Sequence, residues 1–250
     1  MMVMNRIFAF MCLLIPAVCM YAQSEYRIMS YNIRNGIGID DIMDLSRTAE
    51  VINNVCPTIV AVQEVDSVTR RSSGRYILGD LAESTGMTAI YAPAIDFDGG
   101  KYGIGILSRE EPISVTRMPL PGSEEARALL MVEFKDFVFC CTHLSLTEQD
   151  RNEAASILMT ISGKTKKPLF IAGDFNALPD DEVFRTLSGK FTILTDGVTP
   201  TFPSDNPKEV LDYIILSNGD NVTVHKSEVV NAPIASDHRP VLIDVTIKAQ

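Results

Sequence analysis

Short apolar runs alternate with amphipathic segments along the chain from Tyr26 onward. Runs of this kind, rich in Val, Ile and Phe and broken by turn residues, are typical of buried strands. The predicted strands cover residues 26–34, 58–65, 88–94, 103–108, 113–118, 128–134, 137–144, 168–173, 191–195, 210–216, 223–230 and 241–247. Lys135-Asp136 fits a two-residue hairpin turn between neighbouring strands in the middle of the chain.

Four segments have the spacing of apolar residues that is typical of helices, and each is followed by a residue that ends helices. They are residues 45–55 before Pro57, 77–85 before Gly86, 147–162 before Gly163 and 180–187 before Gly189. Helices lie early and centrally, while hairpin-like strand pairs lie in the middle and at the end. This order predicts one α/β domain over residues 24–250, with two mixed sheets packed face to face and helices outside.

The first residues are typical of a secretory signal peptide rather than of this domain. Asn5 and Arg6 precede an almost wholly apolar run over residues 7–20, and the small residue Ala22 follows. We expect cleavage after Ala22, and therefore export to the periplasm or the extracellular space. A membrane anchor is the alternative, but the run is too short to span a hydrocarbon core comfortably.

The net charge is −10, and removal of Arg6 with residues 1–22 would make it −11, with 21 basic against 32 acidic residues. An acidic protein repels polyanions at long range. The charge therefore disfavours a tightly bound nuclease, although a local basic groove would still admit nucleic acid. Tryptophan is absent, and aromatic residues make up only 7% of the chain, so platforms for base stacking are scarce.

Three cysteines, Cys56, Cys140 and Cys141, remain after residues 1–22. Cys140 and Cys141 are adjacent on a predicted strand and should point to opposite faces. Neither a disulfide framework nor a CxxC or Cys/His zinc pattern is visible. We interpret all three as buried free thiols.

The first candidate for catalysis is the segment Gly173-Asp174-Phe175-Asn176, which follows an apolar strand directly. Side chains leave the core at the ends of strands and converge there in clefts. Asp174 and Asn176 are two residues apart and can point to the same side, where a carboxylate and an amide can hold and polarise a water. A simple turn that closes the strand is the alternative.

A second candidate is Asp237-His238, which precedes Pro240 and the last strand. This loop presents an acid beside an imidazole, although a surface turn has a similar sequence. Asp212 lies within an apolar strand, where a carboxylate is costly without a partner. A His–Asp pair would supply that partner and fix the imidazole tautomer.

Further polar groups stand at the ends of other predicted strands. Glu64 ends an apolar strand and must be solvated, paired or bound to metal. His143 ends another strand, and Asn32 and Arg34 end the first. Oxygen ligands of this kind suit Mg²⁺, Mn²⁺ or Ca²⁺ better than zinc. The whole set fits metal and phosphate chemistry and contains no covalent nucleophile.

The motifs together resemble the endonuclease/exonuclease/phosphatase superfamily, which includes pancreatic-type deoxyribonucleases, neutral sphingomyelinases and inositol polyphosphate 5-phosphatases. The resemblance extends from residues 30–34 to residues 236–240. It depends on Gln63-Glu64, Gly173-Asp174-x-Asn176, Leu211-Asp212-Tyr213 and Ser236-Asp237-His238. It implies a four-layer α/β sandwich and a metal-dependent phosphoester hydrolase.

The resemblance also implies a metal site and a residue that acts on the attacking water. Glu64 is similar to the principal Mg²⁺ ligand of the family, with Asn32 and Asp237 close to the metal. Asp174 resembles the residue that orients or deprotonates the water, and Asn176 resembles its positioning partner.

The remaining implied roles concern the phosphate. His238 resembles the imidazole that contacts the scissile phosphate, held by Asp212. His143 stands where relatives have a His or Tyr that contacts a phosphate oxygen or assists the leaving group. Arg34 and Arg109 are candidate phosphate clamps, but an arginine is as often only a surface charge.

The superfamily spans several substrates, so membership does not identify this one. We expect a divalent-metal-dependent hydrolase of a small or lipid-derived phosphoester, with a diester as the first expectation and a monoester as the alternative. A secreted nuclease is the second hypothesis, and a catalytically silent binding module is the third. The complete set of acid, amide and imidazole side chains argues against the third. We interpret Arg70-Arg71 and residues 164–167 as solvated charges, which offers the nuclease hypothesis no basic groove.

Overall fold

The computed structural model describes residues 23–248. Twelve strands lie within this range: β1 Gln23–Asn32, β2 Ile59–Ser67, β3 Thr88–Phe97, β4 Gly100–Ser108, β5 Ser114–Leu120, β6 Arg127–Glu133, β7 Val138–His143, β8 Leu169–Asp174, β9 Thr192–Ile193, β10 Asp212–Ser217, β11 Val222–Val229 and β12 Val241–Lys248. Four α-helices accompany them: α1 Leu45–Val55, α2 Ile77–Thr85, α3 Glu148–Lys164 and α4 Glu182–Leu187. A short 3₁₀ turn at Arg34–Gly36 follows β1.

The strands form two six-stranded mixed sheets. The first has the order β11-β12-β1-β2-β4-β3, and the second has the order β5-β6-β7-β8-β10-β9. The pairs β1–β2 and β7–β8 are parallel, and the other neighbouring pairs are antiparallel. Each sheet therefore has two parallel strands at its centre, whose carboxyl ends point to one edge.

Three apolar clusters separate the layers. The first lies between the two sheets and includes Ile28, Phe139 and Phe170. The second packs α3 and α4 on the outer face of one sheet, and the third packs α1 and α2 on the outer face of the other. Burial of each large apolar side chain contributes about 1.5–3 kcal/mol, so these clusters hold the layers together. The order helix, sheet, sheet, helix confirms the expected four-layer sandwich.

Most of the predicted elements are present, with shifts at their ends. The helices at residues 45–55 and 77–85 have the predicted bounds, and Phe134 donates a 2.9 Å backbone hydrogen bond to Phe137 across the predicted hairpin turn. Helix α3 continues through Gly163 to Lys164, because Thr165 supplies the capping N–H. The strand predicted at residues 191–195 is reduced to β9, which pairs with β10 alone.

The three cysteines between residues 23 and 248 are unpaired thiols, as expected, and two of them are buried. Cys141 faces the cluster between the sheets, and Cys140 faces the helices, so their side chains do point to opposite faces. The expectation that Cys56 is buried is wrong, because it caps the end of α1 in a left-handed conformation at the surface.

The predicted signal peptide, residues 1–22, lies outside the described residues. Between residues 23 and 248, none of the helices is both long enough and apolar enough to cross a bilayer.

Candidate active site

The candidate site lies at the edge where the central strands of both sheets end. Asn32 ends β1, His143 ends β7, Asp174 ends β8, and Glu64 lies near the end of β2. His143 is in register with Asp174 across the parallel pair β7–β8. Strand β10 runs the other way, so its first residue, Asp212, is directly opposite Asp174. The topology thus gathers residues that are far apart in the sequence.

Gly173 allows this close approach. A side chain at position 173 would place its Cβ against the carbonyl oxygen of Thr142 on β7. The glycine before Asp174 therefore lets β7 and β8 pair closely enough to bring His143 to the Asp174 carboxylate.

Asp174 lies between two imidazoles. Its Oδ2 is 3.6 Å from the Nε2 of His143 and 3.6 Å from the Nε2 of His238. All three side chains are almost fully buried. An oxygen held between two ring nitrogens is placed to exchange a proton with a small polar molecule bound beside it.

The two histidines have opposite electrostatic surroundings. Burial opposes protonation of His238, but the charges of Asp212 and Asp174 and the hydrogen bond to Asp212 outweigh it and raise its pKa to about 10. Burial lowers the pKa of His143 to about 4, although the charge of Asp174 acts in the other direction. At neutral pH the site thus combines one cationic imidazole with one neutral imidazole.

Asp212 orients the cationic ring. The Nδ1 of His238 donates a 2.8 Å hydrogen bond to Asp212 Oδ2, which leaves Nε2 to face Asp174. The Phe202 ring packs against His238, with 4.8 Å between the ring centroids. The expected His–Asp pair is therefore present in the structure, and it fixes both the protonation and the direction of the ring.

Glu64 reaches the site through an irregularity in β2. The register between β2 and β4 shifts between Val62 and Val65, and Glu64 takes a left-handed φ of 57°. Such a bulge turns a side chain away from the regular alternation of the strand. A residue other than glycine at positive φ carries strain, which is commonly found at functional positions.

Asn32 connects the two sheets at the site. Its Nδ2 donates hydrogen bonds of 2.9 Å to Glu64 Oε1 and 3.1 Å to Asp174 Oδ2. Its Oδ1 accepts a 3.1 Å hydrogen bond from the backbone N–H of Arg34. The amide thus presents its nitrogen, and not its oxygen, to the carboxylates.

Asn176 braces the loop after β8. Its backbone N–H donates to Asp174 Oδ1 at 2.9 Å, and its Nδ2 donates to the carbonyl of Leu144 at 2.9 Å. Its φ of 47° is also left-handed. These bonds fix the second oxygen of Asp174, so that Oδ2 alone faces the histidines.

Asp237 and Arg34 form the more open side of the site. The Nε of Arg34 is 3.7 Å from Asp237 Oδ2, and about a third of each side chain is exposed. Ser236 donates a 2.7 Å hydrogen bond from Oγ to the carbonyl of Asn32, which fastens the Asp237-His238 loop to the end of β1. The sequence indicates Ser236 only as part of a motif, without this role.

Two groups of residues could hold a cation. Asp174, Asp212 and His238 have ligand atoms within 4.8 Å of one another. In that group, however, the Nδ1 of His238 is already bonded to Asp212, and its pKa is raised to about 10, so the ring is a poor metal ligand. Glu64 and Asp237 offer carboxylate oxygens instead. Burial, followed by the charges of Asp237 and Asp174, raises the pKa of Glu64, and a cation there would relieve that repulsion.

The sequence-predicted residues converge at this site with one exception. Arg109 lies at the opposite end of its sheet, where its guanidinium donates to the carbonyls of Pro57 and Thr85. Strand β4 is antiparallel to β2, so Ser108 pairs with the start of β2 and not with its end. The structure therefore does not bring Arg109 to a phosphate held by the other residues.

Arg71 is the main residue near the site that sequence reasoning missed. It pairs with Asp66, whose side chain is fully buried two residues after Glu64. The same argument that indicated a partner for Asp212 applies to Asp66, because a buried carboxylate requires a cation or hydrogen-bond donors. The run Arg70-Arg71 concealed this, since only Arg70 is a solvated charge, with its side chain 82% exposed.

Comparison with known proteins agrees with the fold. The chain is 23% identical over 257 residues to a homolog of a cytolethal distending toxin subunit from Salmonella typhi, covering 92% of this chain and 95% of the relative. Among solved structures, an endonuclease/exonuclease/phosphatase from Bacteroides vulgatus superposes with a TM-score of 0.76 at 20% identity, over 90% of this chain and 100% of that one.

A mannosyl-6-phosphatase of Bacteroides thetaiotaomicron has a TM-score of 0.71 at 18% identity, over 88% of this chain and 99% of that one. A family model described as "Endonuclease/Exonuclease/phosphatase family" matches residues 29–238. That range contains each residue of the candidate site.

Proposed function

The chain belongs to the endonuclease/exonuclease/phosphatase family, a family of hydrolases, and from that premise we propose that it is an exported, divalent-metal-dependent phosphoesterase. It hydrolyses a small or lipid-derived phosphoester, a diester or a monoester, by in-line attack of water. The observation that carries the proposal is the position of Asp174 Oδ2, which lies 3.6 Å from each imidazole and 3.1 Å from Asn32.

Asp174 acts on the attacking water. The water oxygen forms the new bond to phosphorus and one of its protons passes to Asp174 Oδ2. The bond from phosphorus to the leaving oxygen breaks, and that oxygen takes the electron pair and gains a proton from solvent to leave as the alcohol. Asn176 positions the carboxylate by holding its other oxygen. A side chain placed for proton transfer typically accelerates such a step about 10²–10⁴-fold.

His238 and His143 act on the phosphate. Protonated His238, held by Asp212, donates a hydrogen bond to a phosphoryl oxygen and stabilises the charge that develops in the transition state. Neutral His143 contacts another phosphoryl oxygen or the leaving oxygen. Arg34, on the open side, is the candidate clamp for the incoming phosphate, and Arg109 is not proposed for this role because of its position.

Glu64 and Asp237 would hold the divalent cation, with Mg²⁺ preferred and Mn²⁺ or Ca²⁺ as alternatives, because carboxylate oxygens suit hard cations. The bound ion would supply charge neutralisation on the phosphate oxygens. Asn32 keeps Glu64 and Asp174 together through its two N–H bonds. In this arrangement Asn32 lies beside the metal site and positions Glu64, the proposed metal ligand.

Three features support the proposals on location and substrate. The segment over residues 1–22 has the composition of a signal peptide, which supports export. The net charge of −10 favours a small phosphoester over a polyanion. The likeness to a mannosyl-6-phosphatase is compatible with a small, soluble substrate.

A panel of substrates tests the proposal. The purified protein is assayed with bis-p-nitrophenyl phosphate, p-nitrophenyl phosphate, sphingomyelin, inositol phosphates and plasmid DNA, each with Mg²⁺ or EDTA. We expect Mg²⁺-dependent turnover of at least one small or lipid phosphoester. Turnover that persists in EDTA would contradict the mechanism, and DNA cleavage far faster than every other reaction would establish the nuclease instead.

A further inference from the structure

Two adjacent arginines, Arg70 and Arg71, differ in their surroundings. The Arg70 side chain is 82% exposed and pairs with Asp98 at the surface. The Arg71 side chain is only 35% exposed, and its partner Asp66 is fully buried. An exposed pair such as the first contributes little, whereas a buried carboxylate holds its cation firmly in place.

The guanidinium of Arg71 is fixed from several directions. Its Nε and Nη2 donate to the two oxygens of Asp66 at 2.6 and 2.7 Å, and Nη2 also donates to Asn35 Oδ1 at 2.7 Å. Its central carbon lies 4.4 Å from the ring centroid of Phe97 and 5.4 Å from that of Tyr102. A bidentate ion pair combined with aromatic packing gives an arginine one orientation.

This group adjoins the candidate site. Asp66 follows Glu64 by two residues on β2, and Asn35 follows Asn32 by three residues in the turn after β1. The hydrogen bonds to Asp66 raise the pKa of Arg71 most and burial opposes them, while the charges of Asp66, Tyr102 and Glu64 add to the rise, which agrees with this placement. Arg71 therefore stands beside the residues proposed to hold the metal.

The Nη1 of Arg71 can still donate hydrogen bonds to a ligand. Within residues 23–248, Nε and Nη2 have acceptors, and no side chain or carbonyl accepts a hydrogen bond from Nη1. In the proposed mechanism, the scissile phosphate is already contacted by His238, His143 and Arg34. A rigid donor beside the proposed metal ligands is suited to bind another part of the same substrate molecule.

We infer that Arg71 is a specificity residue, which donates from Nη1 to an oxygen acceptor in the alcohol portion of the phosphoester. This inference rests on the proposed function. The acceptor is a hydroxyl or an anionic oxygen, such as one on a sugar or on a second phosphate. Asp66 balances the charge of Arg71, so recognition depends on the direction of the two N–H groups more than on net charge.

Steady-state kinetics of Arg71→Lys tests the inference. Lysine retains the charge toward Asp66 but lacks the two nitrogens by which the guanidinium donates in fixed directions. Arg70→Lys is the matched control. The substrates are phenyl phosphate, whose alcohol carries no further oxygen, mannose 6-phosphate and inositol 1,4-bisphosphate. We expect Arg71→Lys to lower kcat/KM for an oxygen-rich substrate about tenfold more than for phenyl phosphate, mainly through KM, because one hydrogen bond from a charged donor is lost.

The pattern of losses identifies the acceptor. A larger loss of kcat/KM for the bisphosphate than for the sugar phosphate indicates an anionic oxygen. Losses that are equal for these two substrates, and larger than for phenyl phosphate, indicate hydroxyls. Equal losses for all three substrates, or the same selective loss in Arg70→Lys, would overturn the inference. Arg71→Gln, which can still donate to Asp66, serves as a second variant, and thermal unfolding of each variant shows that it is folded.

The inference can fail separately from the proposed function. If the wild-type protein hydrolyses neither these monoesters nor any ester of the substrate panel described above, the phosphoesterase proposal is contradicted. Calorimetric Kd values for mannose 6-phosphate and inositol 1,4-bisphosphate then decide the role of Arg71. Binding about tenfold weaker in Arg71→Lys than in Arg70→Lys would uphold it, and equal binding or no binding to the wild type would overturn it.

Discussion

Carboxylates at the two ends of the strand sandwich have different partners. At the end away from the site, Arg27 donates two hydrogen bonds to Asp244, at 2.7 and 2.9 Å, and Lys167 pairs with Glu133 at 2.7 Å. At the site, by contrast, Glu64 shares a confined region with other carboxylates and receives a hydrogen bond only from the neutral amide of Asn32 among the described residues. Carboxylates away from the site are thus balanced by cations, whereas the site has an excess of negative charge.

The difference separates groups that stabilise the fold from groups that we propose bind a cation. A paired carboxylate contributes to folding, whereas burial and then the charges of Asp237 and Asp174 raise the pKa of Glu64. Such repulsion persists only where the surrounding structure enforces it. The excess charge therefore supports the proposal that a cation binds at this end of the sandwich.

The largest expected effect is that of Asp174→Asn. This change removes the acceptor of the water proton while keeping the shape of the side chain, so we expect kcat/KM for a phosphoester to fall on the order of 10³-fold. Because it also removes one of several like charges, the free energy of unfolding should stay constant or increase. Kinetics and chemical denaturation of the same preparation measure both. Full activity in this variant would contradict the proposed mechanism.

A smaller loss is expected from Asp212→Asn. The amide can still approach His238 Nδ1, but it lacks the charge that keeps the ring protonated and correctly directed. We expect kcat to fall on the order of 10²-fold, with a smaller change in KM. If His238 acted only by packing, the variant would retain nearly all of kcat.

The opposite end should show the reverse behaviour. Asp244→Asn breaks the pair with Arg27 between β1 and β12, and we expect it to lower the free energy of unfolding by about 1 kcal/mol. Its kcat/KM should equal that of the wild type, because the pair lies far from the site. A loss of activity without a loss of stability would show that the two ends are not as distinct as their charges suggest.

The smallest expected effect concerns Glu124, which bridges the β5–β6 loop to the segment after His143. Burial opposes ionisation of Glu124, but hydrogen bonds from Ser145, Arg127 and the Leu146 N–H outweigh it and lower its pKa to about 2. Since the pKa is depressed on folding, its contribution is present above the unfolded value of about 4.3 and disappears as the pH falls toward 2. Glu124→Gln should therefore cost about 0.5 kcal/mol at pH 7 and nothing near pH 2, as measured by urea denaturation. If Glu124→Gln changed the free energy of unfolding equally at both pH values, the effect would not arise from ionised Glu124.

The sequence predicted the fold where local and periodic signals decide structure. Helices α1 and α2 have the predicted bounds because a proline or a glycine ends each amphipathic run. The pairing of Asp212 with His238 was also predictable, since a carboxylate inside an apolar strand needs a partner.

Features that depend on pairing between distant segments were not predictable. The bulge that turns Glu64 toward the site arises from the register of β2 against β4, and the orientation of the Asn32 amide depends on the Arg34 backbone. Arg109 follows a strand with a plausible motif, but β4 runs antiparallel and carries it to the far end. The sequence gives no sign that Arg71 pairs with the buried Asp66, so Arg71 was interpreted as a solvated charge.

The most direct test of the account is the Mg²⁺ dependence of bis-p-nitrophenyl phosphate hydrolysis in the wild type and in Glu64→Gln. We expect saturable activation of the wild type, no activity in EDTA, and at least about a tenfold higher Mg²⁺ requirement in Glu64→Gln, because a charged ligand is lost. The same Mg²⁺ dependence in both proteins, or turnover without metal, would contradict the claim that the uncompensated acids hold a catalytic cation.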